Sequence, residues 1–174
     1  MELLTAGHGT LSAEELVRLL RDAGVRHLVD VRTAPGSRRH PHVSRHRMAH
    51  WLPEAGIAYR WEPELGGWRR ARPDSPHVAL RNGSFRGYAD YMETPAFWAA
   101  LDRLLDEASA HRTAAMCSES LWWKCHRRLL SDAAVLARSA TVLHLGHDGR
   151  LTAHVLTASA RLTITGLLAY DAAS

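Results

Sequence analysis

Lysine occurs once, at Lys124, and cysteine twice, at Cys117 and Cys125; no window approaches the ~20 apolar residues that a membrane-spanning helix requires. That last absence excludes a helical span of the bilayer, and no membrane partner is expected. Two thiols cannot build the disulfide framework of a small secreted domain, so in a reducing compartment both are expected as free thiols or as ligands. Residues 1–9 lack the basic start and long apolar run of a secretory signal. The expectation is a chain structured from its start and located in the cytoplasm. Internal repeats and low-complexity segments are missing as well, which excludes stacked-repeat architectures.

With one lysine among 22 Lys and Arg residues, the net charge of +4 is carried by arginine. Arginine favours planar, bidentate partners such as phosphate and carboxylate, which points to an anionic ligand. A coding bias towards arginine explains the ratio equally well, but not where the arginines lie. Between Arg32 and Leu52 there is no acidic residue, while Arg32, Arg38, Arg39, Arg45 and Arg47 are joined by His40, His42, His46 and His50. Such a stretch suits phosphate better than an ordinary mixed-charge surface does.

The 174 residues, 46% hydrophobic and 23% charged, are of a size and composition for one globular domain. A short apolar run, residues 2–6, reads as a strand ending in Gly7-His8-Gly9. Ser12 and Glu15 form a capping box for a helix whose apolar face is Leu16, Val17, Leu19, Leu20 and Ala23. Residues 25–31 read as a buried strand ending at Asp30, and strand, helix, strand implies parallel pairing. After the basic stretch, Ser44 starts a helix towards Ala55, residues 57–61 form a third strand, and residues 64–84 form a long irregular connection suited to a lid or ligand wall. Helices are expected over 85–92 and from Thr94-Pro95, where Thr94 caps and Pro95 takes the first helical position. A strand over 113–117 then leads into a helix over 121–138, and a strand over 141–145 follows. The tail, 151–170, reads as a strand or hairpin. The predicted fold class is α/β: a single domain over 1–174 with a mostly parallel central sheet of about five strands flanked by helices, its core over about 3–145 and a strand or hairpin extension over 146–174.

In open parallel sheets ligands bind beyond the carboxyl ends of the strands. The turns after the first, second and fourth strands would then bring together His8, Asp30, Arg32, Arg38, Arg39, Cys117 and Glu119. Cys117 reads as a nucleophile stabilised by Arg, His and a helix start, as a metal ligand with Cys125 and His126, or as a small buried hydrophobe. Cys-x7-Cys-His is not a standard zinc spacing, so no metal or other cofactor is predicted. A Cys-dependent phosphatase loop would carry Arg six residues after the cysteine, where this chain has Trp123. Glu119 is therefore the alternative catalytic group: a general acid or base desolvated by Trp122 and Trp123, or merely the cap of the helix that follows. His8 reads as a site base or a satisfied turn histidine. Asp30 reads as a carboxylate that orients arginine or as a turn residue.

Thr5-Ala-Gly-His8-Gly, Leu28-Val-Asp30-Val-Arg32, Ser37-Arg38-Arg39, Glu64-Leu-Gly-Gly67, Phe85-Arg-Gly-Tyr88 and Met116-Cys117-Ser-Glu119 with Cys125-His126-Arg127 resemble the motifs of the domain-of-unknown-function 488 (DUF488) family, over about 3–145. The family carries no established general reaction. Its members typically read Thr-Ile-Gly-His-Ser at the start, whereas this chain has Ala6 and Gly9, so the hydroxyl expected at position 9 is missing unless Thr10 supplies it. Leu121-Trp122-Trp123-Lys124 is also bulkier than the short polar residues usual between the cysteines. The leading expectation is an enzyme acting by hydrolysis on a nucleotide or nucleic acid. Arg32, Arg38, Arg39 and Arg127 would hold phosphate and Glu119 would activate water, with His8, Asp30, Tyr88, Cys117, Cys125 and His126 completing the pocket. The alternatives are a nucleic-acid-binding module without catalysis, and a thiol or metal site built on Cys117, Cys125 and His126.

Overall fold

The strand segments assemble into one six-stranded sheet with buried central strands and more exposed edges, in the order β3 (Ala58–Trp61), β2 (His27–Asp30), β4 (Thr113–Cys117), β1 (Glu2–Gly7), β5 (Thr141–Leu145) and β6 (Leu151–Ala153). The computed structural model describes residues 1–171. The first five run parallel, and β6 adds antiparallel to β5. Six strands replace the expected five because the tail contributes β6 as well as a separate two-stranded ribbon, β7 (Ala160–Leu162) with β8 (Leu168–Tyr170). Residues 172–174 of the expected extension lie outside the described residues.

Helices α1 (Ala13–Asp22) and α2 (Arg45–Glu54) cover one face, while α3 (Gly83–Tyr91), α4 (Pro95–Ala110) and α5 (Arg127–Arg138) cover the other. The period-two alternation of a strand distributes side chains between the two layers. Leu4, Ala6, Ala114 and Met116 pack with α1 and α2, whereas Leu3, Ala115 and Cys117 pack with α4 and α5. Fully buried leucines such as Leu16, Leu20, Leu101 and Leu104 are each worth about 1.5–3 kcal/mol of transfer free energy.

Local signals set several boundaries. Ser12 and Glu15 exchange the two hydrogen bonds of a capping box on α1, Asn82 caps α3, and Thr94 caps α4 with Pro95 in its first turn. One boundary differs by more than a fraying residue. Instead of a helix from 121, residues 118–126 form a surface loop with a single 3-10 turn, Trp122–Lys124, and α5 starts at Arg127. Tertiary contacts override local propensity there: the Trp122 ring stacks on His144 of β5 at 4.0 Å, and the Leu121 N–H is taken by the Glu119 carboxylate.

The chain order places a crevice at the carboxyl end of β4. Its neighbours β1 and β2 lead into helices on one face, while β4 leads into α5 on the other, so the connections diverge around the end of β4. Such a switch point is where open α/β sheets bind ligands.

Candidate functional site

Past the strand ends the β1–β4 ladder continues, with the His8 N–H donating to the Cys117 carbonyl (3.0 Å) and the Gly9 N–H to that of Ser118 (2.9 Å). This brings the turn after β1 beside the turn after β4. Between them and the residues after β2 opens a cavity of about 280 Å³, lined by His8, Arg32, Ser37, His40, Cys117, Ser118 and His126, with Trp68 at its rim. That volume is at the small end of ligand pockets.

Arg32 is fixed from below. Its Nε and Nη2 donate to the two oxygens of the buried Asp30 (2.8 and 2.6 Å), Nη2 also donates to the Val43 carbonyl (2.8 Å), and Nη1 faces His8 Nε2 (3.2 Å). A guanidinium has five N–H donors, so one Nη1 hydrogen remains for a ligand. His8 Nδ1 lies 2.9 Å from the Gly9 carbonyl oxygen, which can only accept. Nδ1 is therefore protonated, and Nε2 offers its lone pair to Arg32. Burial pushes the His8 pKa down and keeps the ring neutral. In this arrangement His8 orients the arginine, and its lone pair is already engaged.

The same reasoning fixes His126. Its Nε2 lies 2.9 Å from the Val31 carbonyl and must donate, which leaves Nδ1 facing Cys117 Sγ at 3.9 Å. Gly67 permits this close approach, because a Cβ there would meet Nδ1 at 3.0 Å. Beneath Cys117 lies Cys125, whose sulfur accepts from Arg127 Nε (3.0 Å) and from the Arg127 backbone N–H (3.3 Å). The guanidinium of Arg127 also bonds the Glu119 carbonyl and lies 3.5 Å from Thr5 Oγ1. Arg127 is 1% exposed and has no carboxylate partner among the described residues. The sulfur that lies against this buried cation is that of Cys125. Of the two thiols Cys117 ionises first: Cys125 donates to its sulfur, which outweighs the cost of burial, and His126 and the Glu119 backbone add to the effect. Burial holds the Cys125 thiol protonated.

The sulfurs of Cys117 and Cys125 and one nitrogen of His126 lie within 4.8 Å of one another and could hold a metal ion. Three ligands are one short of a closed tetrahedral zinc site, and the guanidinium against Cys125 already supplies positive charge to the cluster.

The site residues expected from the sequence separate into groups. His8, Arg32, Cys117 and His126 line the cavity, Asp30 holds Arg32, and Cys125 backs Cys117. Arg38 and Arg39 are exposed on the basic loop between the lining residues Ser37 and His40. Arg127 is a buried brace. Tyr88 is in the core, its hydroxyl donating to the Leu65 carbonyl (2.9 Å) and its ring 5.1 Å from that of His126. Glu119 faces away from the cavity, accepting from the Leu121 N–H (3.1 Å) and Ser120 Oγ. Trp122 stacks on His144, and Trp123 is exposed. Trp68, near the start of the connection expected to form a ligand wall, is 81% exposed at the rim with φ +45°, a left-handed backbone that a bulky residue rarely adopts. At position 9 a serine would be strained: φ is +49° and a Cβ would meet the His147 ring at 2.8 Å. Thr10 is exposed and outside the cavity lining.

A doubly covered, mostly parallel sheet with a thiol pocket at its carboxyl edge defines an α/β protein with a candidate active site at the switch point. The chain belongs to the family described as Domain of unknown function DUF488, whose model matches residues 12–134. That range holds Asp30, Arg32, Cys117, Cys125, His126 and Arg127 and begins after His8, so it is narrower than the span over which the motifs resemble the family. No curated protein and no solved structure matches the chain. Among the described residues no helix is long and apolar enough to cross a membrane.

Proposed function

We propose that this chain is a thiolate-dependent enzyme that hydrolyses a small phosphate-bearing substrate, a nucleotide or a nucleic-acid end, in the cytoplasm. The observation that carries the reading is that Cys117, Arg32 and His126 line one cavity. The negative sulfur would attack the electrophilic phosphorus, and the leaving oxygen would take a proton from the His126 ring. Water would then cleave the covalent intermediate and return Cys117 as thiolate. The arginine absent at position 123 has a counterpart in Arg32, delivered from β2 with one donor free. Arg38 and Arg39, exposed on the acid-free loop, would attract the anion to the mouth. Water activation by Glu119 receives no support from this geometry, because that carboxylate faces the Leu121 backbone.

The experiment is a turnover screen of nucleotides and short oligonucleotides with the wild-type chain and the variants Cys117→Ser and Glu119→Gln. The reading expects Cys117→Ser to abolish turnover while retaining ligand binding, and Glu119→Gln to remain active. Salt-sensitive binding without turnover of any substrate would favour a nucleic-acid-binding module. Turnover that survives Cys117→Ser would end the thiolate mechanism.

A further inference from the structure

Cys125 has no part in the proposed hydrolysis, yet its side chain lies against the nucleophile. Cys117 lines the cavity; Cys125 does not, and it sits behind Cys117 with its sulfur within 4.8 Å of the other. The two thiols differ in access. Both are buried, 6% and 8% exposed, but only the Cys117 side chain faces the cavity, so an oxidant that enters the cavity meets Cys117. They also differ in attachment. Cys117 ends a central strand, whereas Cys125 closes the loop 118–126, in which Ser118, Leu121, Trp123 and Lys124 are exposed and only a single 3-10 turn is formed. Bond formation requires the sulfurs to approach more closely than the 4.8 Å limit within which they lie, and the loop, not the central strand, would have to supply that approach.

We infer that Cys117 and Cys125 form a redox couple, in which a hydroperoxide oxidises the cavity-lining sulfur of Cys117 and Cys125 closes a disulfide onto it. The inference rests on the thiolate reading of Cys117. In the first step the Cys117 thiolate attacks one peroxide oxygen, the O–O bond breaks, and the products are a sulfenic acid on Cys117 and hydroxide or alkoxide. In the second step the Cys125 sulfur attacks the Cys117 sulfur. The S–O bond breaks, and the departing hydroxyl leaves as water with the proton of the Cys125 thiol. The sulfur pair has then given two electrons to the peroxide, and a small-molecule dithiol such as dithiothreitol returns them. Arg127, bonded to Cys125 through both its backbone and its guanidinium, favours the negative sulfur needed for the second step. Oxidation removes the nucleophile, so the same step switches the proposed hydrolysis off.

The test uses the full-length reduced chain, one equivalent of hydrogen peroxide, and a maleimide quench read by mass spectrometry. The expected product has lost two hydrogens, carries no maleimide, and yields a peptide linking Cys117 to Cys125; dithiothreitol restores both thiols. With Cys125→Ser, or Cys125→Ala if the serine variant does not fold, dimedone should trap a sulfenic acid at Cys117. Two free thiols after peroxide, or oxidation of Cys117 beyond sulfenic acid without a linked peptide, would overturn the couple and leave the thiolate reading standing. A Cys117 that also resists iodoacetamide at neutral pH would remove both.

Discussion

Nδ1 of His126 lies 3.9 Å from the sulfur of Cys117 while Nε2 of the same ring lies 2.9 Å from the carbonyl oxygen of Val31. The carbonyl can only accept, so it fixes the tautomer and leaves Nδ1 facing the sulfur, where the ring helps to lower the Cys117 pKa. Replacing His126 by Gln should raise the pKa of Cys117, which moves the inflection of its alkylation profile to higher pH and slows alkylation at any pH below the wild-type inflection, by about tenfold for each pH unit of the shift. Rates measured from pH 5 to 9 check this, and an unchanged profile would show that His126 does not support the thiolate.

Asp30 and Arg32 form a bidentate pair with side chains 0% and 7% exposed. The Arg32 backbone N–H (3.2 Å) and the Tyr59 hydroxyl (2.7 Å) also donate to the carboxylate. Removing the charge on Asp30 strands the guanidinium inside the protein, and Asp30→Asn should cost about 3–5 kcal/mol in denaturant unfolding. A loss below about 1 kcal/mol would mean that Arg32 reaches solvent or another anion.

A second buried polar chain, Thr5–His144–His154–Asp132, ties β1 and β5 to α5. Its links are 2.7 Å from Thr5 Oγ1 to His144 Nδ1, 2.9 Å from His144 Nε2 to His154 Nδ1, and 2.9 Å from His154 Nε2 to Asp132. The carboxylate accepts, so each donor in the chain points towards Asp132. Burial, with His154 and Arg127 adding, pushes His144 down from 6.5 to about 3. Below 6.5 the unfolded chain takes up a proton that the folded chain refuses until about pH 3, so stability should fall as the pH drops across that window. The loss is about 1.4 kcal/mol per pH unit at this site. The buried, neutral His8 acts in the same direction. Denaturation midpoints at pH 7, 5.5 and 4.5 measure the slope, and His144→Gln should flatten it; an unchanged slope would place the acid sensitivity elsewhere.

Neutralising Arg38 and Arg39 together should weaken binding of a phosphate-bearing ligand. The plot of log K against log salt should become shallower, its slope smaller by about one for each phosphate the variant no longer neutralises. Thermal unfolding should be unchanged, since both residues are exposed on a loop. Binding and a salt slope equal to wild type would remove the basic rim from the recognition surface.

The convergence of His8, Arg32 and Cys117 was legible because it follows from topology. Buried strands, helical crossovers and turn residues at strand ends are local signals, and parallel pairing then puts the turns on one edge. What local signals cannot give is which way a side chain faces after the turn. Glu119 and Arg127 look like site groups by type and spacing, but one serves the Leu121 backbone and the other is buried as a brace. Residues 121–126 read as helix because Leu-Trp-Trp-Lys lacks a breaker; His144, which draws Trp122 out of such a helix, arrives later in the chain and on another strand. The His144–His154–Asp132 relay was equally hidden, since its members come from β5, from the segment after β6, and from α5.

The Cys117 thiol at the end of β4 is held well below the usual thiol range by the Cys125 thiol and His126, and it ionises before Cys125. The most direct test of this central claim is the pH dependence of iodoacetamide alkylation of Cys117 in the reduced, full-length protein, followed at that residue by mass spectrometry. The account predicts an inflection well below the free-thiol value of about 8.5, with Cys125 reacting far more slowly. An inflection at or above that value, or equal rates at the two cysteines, would contradict it.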